Sequence, residues 1–219
     1  MTTPDSTTLS EANRQAGKHQ VDGQRENILE TAERLFQENG IANTSMVEIA
    51  RAVGITKVTL YRYFANKDEI ALQIQIRMLK KIRDVVMPNE TEFSREALKR
   101  SIHAHLENFT QLQDAYRFIG MFDQIYLDNP ADKDLAAWTK EQLTSSDWRD
   151  VNREHAKKSY PVPGERSVIM SSLIWFLEKL ALRGELTWSD DSVPLEDHLD
   201  IFEDMVFTYL DQMEKKERV

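Results

Sequence analysis

The 219-residue sequence contains no cysteine. That removes disulfide frameworks, thiolate nucleophiles and thiolate metal sites together. Glycine and proline are scarce, at seven and six residues, which argues for long helices and few turns. No run approaches the roughly 18 apolar residues of a membrane span. The polar start MTTPDSTTLSEANRQAGKHQ has no apolar segment of the kind a signal peptide carries. There is no Gly-rich phosphate loop and no HExxH pair. His103 and His105 stand two apart, on different faces of a helix, and cannot chelate one metal from it. Glu154-His155 sits in a charged run and reads as a solvated pair. A cytoplasmic, non-membrane protein without catalytic residues, metal or cofactor is the expectation.

What the chain does contain is unevenly spread. Its net charge is −9. Residues 1–80 balance ten basic against ten acidic side chains, whereas residues 81–219 carry 18 against 27. Between positions 51 and 67 stand Arg51, Lys57, Arg62 and Lys67, with no acid among them. Nucleic-acid attraction depends on local charge, so an acidic chain with a basic island can bind DNA through the island.

Residues 1–20 are polar and read as a disordered arm, given a mild basic tilt by Arg14, Lys18, His19 and Arg25; an idle tail and an arm that touches DNA are both open, the idle tail being expected. From Arg25 an apolar stripe of Ile28, Ala32, Leu35 and Phe36 predicts a first helix that ends at Asn39-Gly40. Ser45, three before Glu48, forms a capping box that opens a second, two-turn helix stopping at Gly54. Thr56 caps a third helix running through Phe64, and Asn66 a fourth that continues to about Val86. Two short helices joined by a glycine-containing turn of three or four residues are the signature of a helix-turn-helix. Further helices are expected at about 93–112, 114–128, 131–158, 164–184 and 195–215, with boundaries at Pro88, Asn129-Pro130, residues 161–164 and Pro194. The chain reads as all-α: an arm at 1–20, a three-helix helix-turn-helix domain at 21–67, and a larger helical domain at 68–219.

The third helix, GITKVTLYRYF at 54–64, is unusual for its outer face. On a wheel Leu60 and Phe64 point inward, while Val58 and Arg62 lie opposite, flanked by Thr59 and Tyr61. An ordinary solvated face would carry Glu and Lys. In a major groove a valine can meet a thymine methyl and a basic side chain can bond guanine O6 and N7. Hydroxyls of Thr and Tyr suit phosphates, as do the free N–H groups at the helix N-terminus, where Thr56 stands.

Over residues 25–72 the segments LFQENG, TSMVEIA, GITKVTLYRYF and NKDEIAL resemble the DNA-binding domain of the TetR family of bacterial transcriptional regulators. The resemblance implies base-edge positions at Lys57, Val58 and Tyr61. It implies phosphate-facing ones at Thr59, Arg62, Tyr63 and Lys67, with Ser45 near the DNA backbone. Val58 departs from the small residue usual in the family and should restrict the base it meets. Arg62 replaces a neutral or aromatic residue; base and phosphate are both open to it, with phosphate expected.

In the body, residues 168–182 (VIMSSLIWFLEKLAL) are apolar nearly all round, the mark of a helix buried on two sides. Leu195, Leu199, Phe202, Val206, Tyr209 and Met213 form a seam along the last helix. Either both faces pack inside one chain or a second copy covers them. The resemblance implies the latter, a four-helix homodimer bundle matched to a palindromic operator. Ile169, Leu173, Phe176, Leu177, Leu180, Leu199, Phe202, Val206 and Tyr209 are the expected interface. It also implies a small-molecule effector site, for which Phe109, Phe122, Tyr126, Trp138 and Trp175 are the expected apolar wall and Arg117, His105 or Glu178 the anchor. The function so implied is a repressor released from double-stranded DNA by a largely apolar effector that shifts a population through the fourth helix. The alternative is a DNA-binding regulator whose acidic body is a protein-interaction platform.

Overall fold

The computed structural model describes residues 6–86, 94–127, 164–183 and 194–217. Trp138 and the expected helix at 131–158 lie outside them. The described residues form eight α-helices and no strand: α1 (Ser6–Asn39), α2 (Met46–Val53), α3 (Lys57–Tyr61), α4 (Lys67–Val86), α5 (Arg95–Glu107), α6 (Phe109–Tyr126), α7 (Glu165–Arg183) and α8 (Leu195–Glu217). None of them is long and apolar enough to cross a membrane. The chain divides into two compact units, Met1–Ile74 and Gln75–Val219. The first turns of α4 therefore group with the head, because Ile70, Ala71 and Ile74 are buried.

The head is built around Ile28, Ala32 and Phe36 of α1, Ile49 and Ala50 of α2, and Leu60 and Phe64 at α3. Its helix ends follow the local code. The Ser45 hydroxyl accepts from the Glu48 N–H at 3.3 Å, and the Ser45 N–H donates back to Glu48 Oε2 at 2.8 Å. At the other end of α2, Gly54 has φ +80°, and the Ile55 N–H reaches the Ala50 carbonyl at 3.0 Å. Those two features make a Schellman stop, and the left-handed residue is where glycine costs least.

Three expectations shift. First, α1 begins at Ser6, so residues 6–20 are helical and not a disordered arm. No proline stands between Ser6 and Asn39, and Glu11, Ala12, Gln15, Ala16 and Lys18 are good helix formers. Extending an already nucleated helix adds one bond per residue without a new nucleus. Second, α3 ends at Tyr61 and not at Phe64. Arg62 and Tyr63 close onto the Thr59 and Leu60 carbonyls in i→i+3 bonds of 3.1 and 2.9 Å, a tightened final turn. Third, the break expected near 113 falls at Asn108. The Asn108 side chain donates to the Ala104 carbonyl at 2.9 Å and competes with the helical ladder.

In the second unit α6 packs closely on α7. A Cβ at Gly120 would lie 2.8 Å from Leu182 Cδ1 and 3.3 Å from Glu178 Cβ, so the missing side chain allows the approach. A buried, two-pronged ion pair joins the starts of α5 and α7: Arg95 Nε to Glu165 Oε2 at 3.0 Å and Nη2 to Oε1 at 3.3 Å. Lys99 reaches Asp211 at 2.5 Å, tying α5 to α8, and that bond raises the Lys99 pKa and lowers the Asp211 pKa.

Candidate nucleic-acid interface

Leu60 and Phe64 are buried in the head core, so the opposite side of α3 faces outward. Val58 there is 75% exposed and Tyr61 46%. Large apolar side chains at such exposure carry a desolvation gain that a partner can collect. Lys57 and Arg62 are also exposed, and the Lys57 ammonium sits 5.6 Å from the centre of the Tyr61 ring. Lys57, Val58, Tyr61 and Arg62 thus share one exposed surface on a helix barely longer than one turn. Its width suits a groove, and it offers one apolar contact, one phenol and two cations.

The hydroxyls behind this surface are engaged in capping. Thr56 Oγ1 accepts from the Thr59 N–H at 3.1 Å and shares a 2.9 Å hydrogen bond with Thr59 Oγ1. One hydroxyl of the pair must donate to the other, which leaves one hydrogen for an outside acceptor such as a phosphate oxygen. Ser45 differs from expectation. Its N–H and its hydroxyl both donate to Glu48 Oε2 at 2.8 Å, so no Ser45 donor remains for a DNA phosphate. The Ser45 hydroxyl, with its N–H second, holds the Glu48 carboxyl below the usual range, keeping a negative charge beside it.

Lys67 and Tyr63 also turn inward in part. Lys67 Nζ donates to the Ile41 carbonyl at 2.7 Å and the Ala42 carbonyl at 3.1 Å, in the turn before α2. The Tyr63 carbonyl accepts from Arg25 Nη1 at 2.8 Å. Arg25 also lies 4.1 Å over the Phe64 ring and 3.6 Å from Glu69. Reading the sequence alone missed Arg25 as part of the site, since a cation 38 residues from Tyr63 carries no local signal.

Of the expected effector residues, His105, Phe109, Phe122, Tyr126 and Glu178 are buried. His105 Nδ1 and the Tyr116 hydroxyl are 2.5 Å apart, and Phe109 stacks on Tyr116 at 5.8 Å. Burial lowers the His105 pKa to about 4 and pushes the Tyr116 hydroxyl up. Phe122 and Tyr126 meet at 4.5 Å. Arg117 and Trp175 are corrected: both are exposed, Trp175 to 60%, and neither lines an interior space. A helix apolar on all sides puts half its residues outside when one neighbour covers only one face.

The same geometry divides the expected dimer residues. Leu173, Leu177 and Leu180 are buried within the chain itself and are not available to a second copy. Phe176 stacks on Phe202 at 4.7 Å, joining α7 to α8. Ile169, Phe202, Val206 and Tyr209 line an apolar groove of about 340 Å³ with Val168, Ser172 and Met205. Leu199 is half-buried beside that seam. The outer residues missed were Val168, Ile201 and Met205, all largely exposed. Ile201, Met205 and Tyr209 form an i, i+4, i+8 stripe that the heavier inner seam had obscured.

The sequence profile described as "Bacterial regulatory proteins, tetR family" matches residues 28–74. The HTH-type transcriptional regulator AcrR of Shigella flexneri is 28% identical over 104 residues, 47% of this chain and 48% of the relative. The chain thus spans about half the length, or less, of the curated relatives it matches. A TetR family transcription regulator from Marinobacter aquaeolei VT8 has the same fold, with a TM-score of 0.54 at 20% identity over 86% of this chain and 95% of that one. AibR, solved in complex with isovaleryl coenzyme A and operator DNA, aligns with a TM-score of 0.51 at 19% identity over 84% and 95% of the two chains. Residues 28–74 thus form a head of the tetR family of bacterial regulatory proteins, and the described residues share their fold with solved TetR-family regulators.

Proposed function

We propose that this protein is a cytoplasmic, dimeric DNA-binding transcriptional regulator, a repressor that a small, largely apolar effector releases from a palindromic operator. The observation that carries the reading is the exposed surface of Lys57, Val58, Tyr61 and Arg62, opposite the buried Leu60 and Phe64. Lys57, Val58 and Tyr61 read base edges, while Arg62, Tyr63 and the free hydroxyl hydrogen of the Thr56–Thr59 pair bind phosphates. The apolar face of α7 and α8 supports the homodimer that a two-fold operator needs. Inside the body, the His105–Tyr116 pair walled by Phe109 is the polar point to which an apolar effector with one polar end can bind. Release then follows only if the effector prefers one arrangement of the dimer over the other.

Selection of bound sequences from random DNA tests this directly. The wild type is expected to enrich a palindrome and protect it in a footprint. Lys57→Ala and Tyr61→Ala are expected to lose that footprint with helix content unchanged, because neither side chain belongs to the core. Undiminished footprints in both variants refute the assignment.

A further inference from the structure

We infer that Lys67 and Arg25 are positioning residues, which set the recognition helix in the head and do not themselves hold DNA. The inference rests on the reading of α3 as the DNA-facing element. Lys67 opens α4, the position at which the family resemblance implies a phosphate ligand. Its ammonium instead closes on two backbone carbonyls, Ile41 at 2.7 Å and Ala42 at 3.1 Å. An ammonium has three donors, and two are spent there. The carbonyls belong to the turn that delivers the chain from α1 to α2, and the Thr44 hydroxyl, donating to the Gly40 carbonyl at 2.9 Å, stiffens it further. Lys67 thereby pins the entry of the helix-turn-helix to the first residue of α4.

Arg25 does the same for the exit. It spans three elements: its Nη1 donates to the Tyr63 carbonyl, its guanidinium covers the Phe64 ring, and Glu69 of α4 sits 3.6 Å away. The Tyr63 carbonyl lies just past α3, where backbone acceptors have no helical partner. Glu69 is itself fixed, accepting from the Ala65 N–H at 2.7 Å while its own N–H donates to Asn66 Oδ1 at 2.8 Å. So the two ends of the helix-turn-helix are each tied by one cation to the start of α4. Both cations hold backbone carbonyls of the head, whereas Lys57 and Arg62 stand on its exposed side.

Salt dependence separates positioning from phosphate contact. A phosphate ligand contributes about 0.9 to the slope of log affinity against log salt, and its loss removes that much. Operator affinity is measured over a salt series for the wild type, Lys67→Met and Arg25→Met, with backbone amide exchange of the free proteins alongside. The expected result is at least a tenfold loss of affinity with a slope within about 0.3 of wild type. Amides of residues 41–44 should exchange faster in Lys67→Met, and those of residues 61–65 in Arg25→Met. A slope lowered by about 0.9 with amide protection unchanged overturns the proposal. Should Lys67→Met fail to fold, Lys67→Gln removes the charge more mildly and its slope decides in the same way. A wild type that selects no DNA sequence defeats the DNA reading, and the amide exchange still decides whether these cations hold the turn and the Tyr63 end.

Discussion

Burial holds the His105 imidazole at a pKa of about 4, against 6.5 for the free side chain, with the Tyr116 hydroxyl 2.5 Å from its Nδ1. The folded state binds the proton less readily than the unfolded one. Stability from this group is therefore complete above about pH 6.5 and is lost as pH falls towards 4, up to about 3 kcal/mol. Urea unfolding at pH 7 and pH 4 should show that decline in the wild type and a correspondingly smaller one in His105→Gln. Equal declines in both proteins contradict the assignment. At this scale the sequence is readable where a side chain acts on its own surface and unreadable where it acts across the fold. Lys57, Val58 and Tyr61 stand out as foreign to a solvated helix face. Arg25 and Lys67 look like ordinary surface cations until the carbonyls they reach are known. Ser45 is legible as a cap, and the same cap uses both its donors on Glu48.

Among the elements, α6 lies close on α7 at Gly120. Gly120→Val should destabilise the protein by about 2 kcal/mol, visible as a lowered thermal midpoint. Its Cβ would be 3.3 Å from Glu178 Cβ, an atom close to the α7 backbone that cannot swing aside as Leu182 Cδ1 can. An unchanged or raised midpoint would mean that α7 shifts freely. Helix ends set by adjacent residues were legible: the Ser45–Glu48 box, the Gly54 stop and the Thr56 cap are chemistry of three or four neighbours. The α5–α6 break lies about five residues before the expected one, because apolar positions continue through Phe109 and Leu112 and the signal lies in one Asn108 side chain. The start of α1 is not legible in its polar composition, because helix extension needs only good formers and a nucleus.

For the whole molecule the deciding feature is the uncovered apolar face, with Ile201, Met205 and Tyr209 on α8 and Val168 and Trp175 on α7. A face of this kind on a folded chain marks an interaction surface. Sedimentation equilibrium should return twice the 25.5 kDa chain mass for the wild type. Ile201→Asp combined with Met205→Lys should return the monomer with helix content retained. A wild type monomeric at micromolar concentration removes the dimer from the proposed function. The sequence carried the all-α class and the existence of this face, since both follow from periodicity. It could not divide inner from outer residues on α7, where Leu173 and Trp175 are equally apolar and only packing tells them apart.

The division of labour on α3 bears on how such a regulator changes over generations. Leu60 and Phe64 bury that end of the head in its core, and Lys57, Val58, Tyr61 and Arg62 have no share in the core. Substitutions at these four positions alter the surface offered to a partner while leaving the head's stability almost untouched. A duplicated copy could drift to a new target without first passing through a poorly folded intermediate, and a laboratory library confined to the same four positions would inherit that freedom.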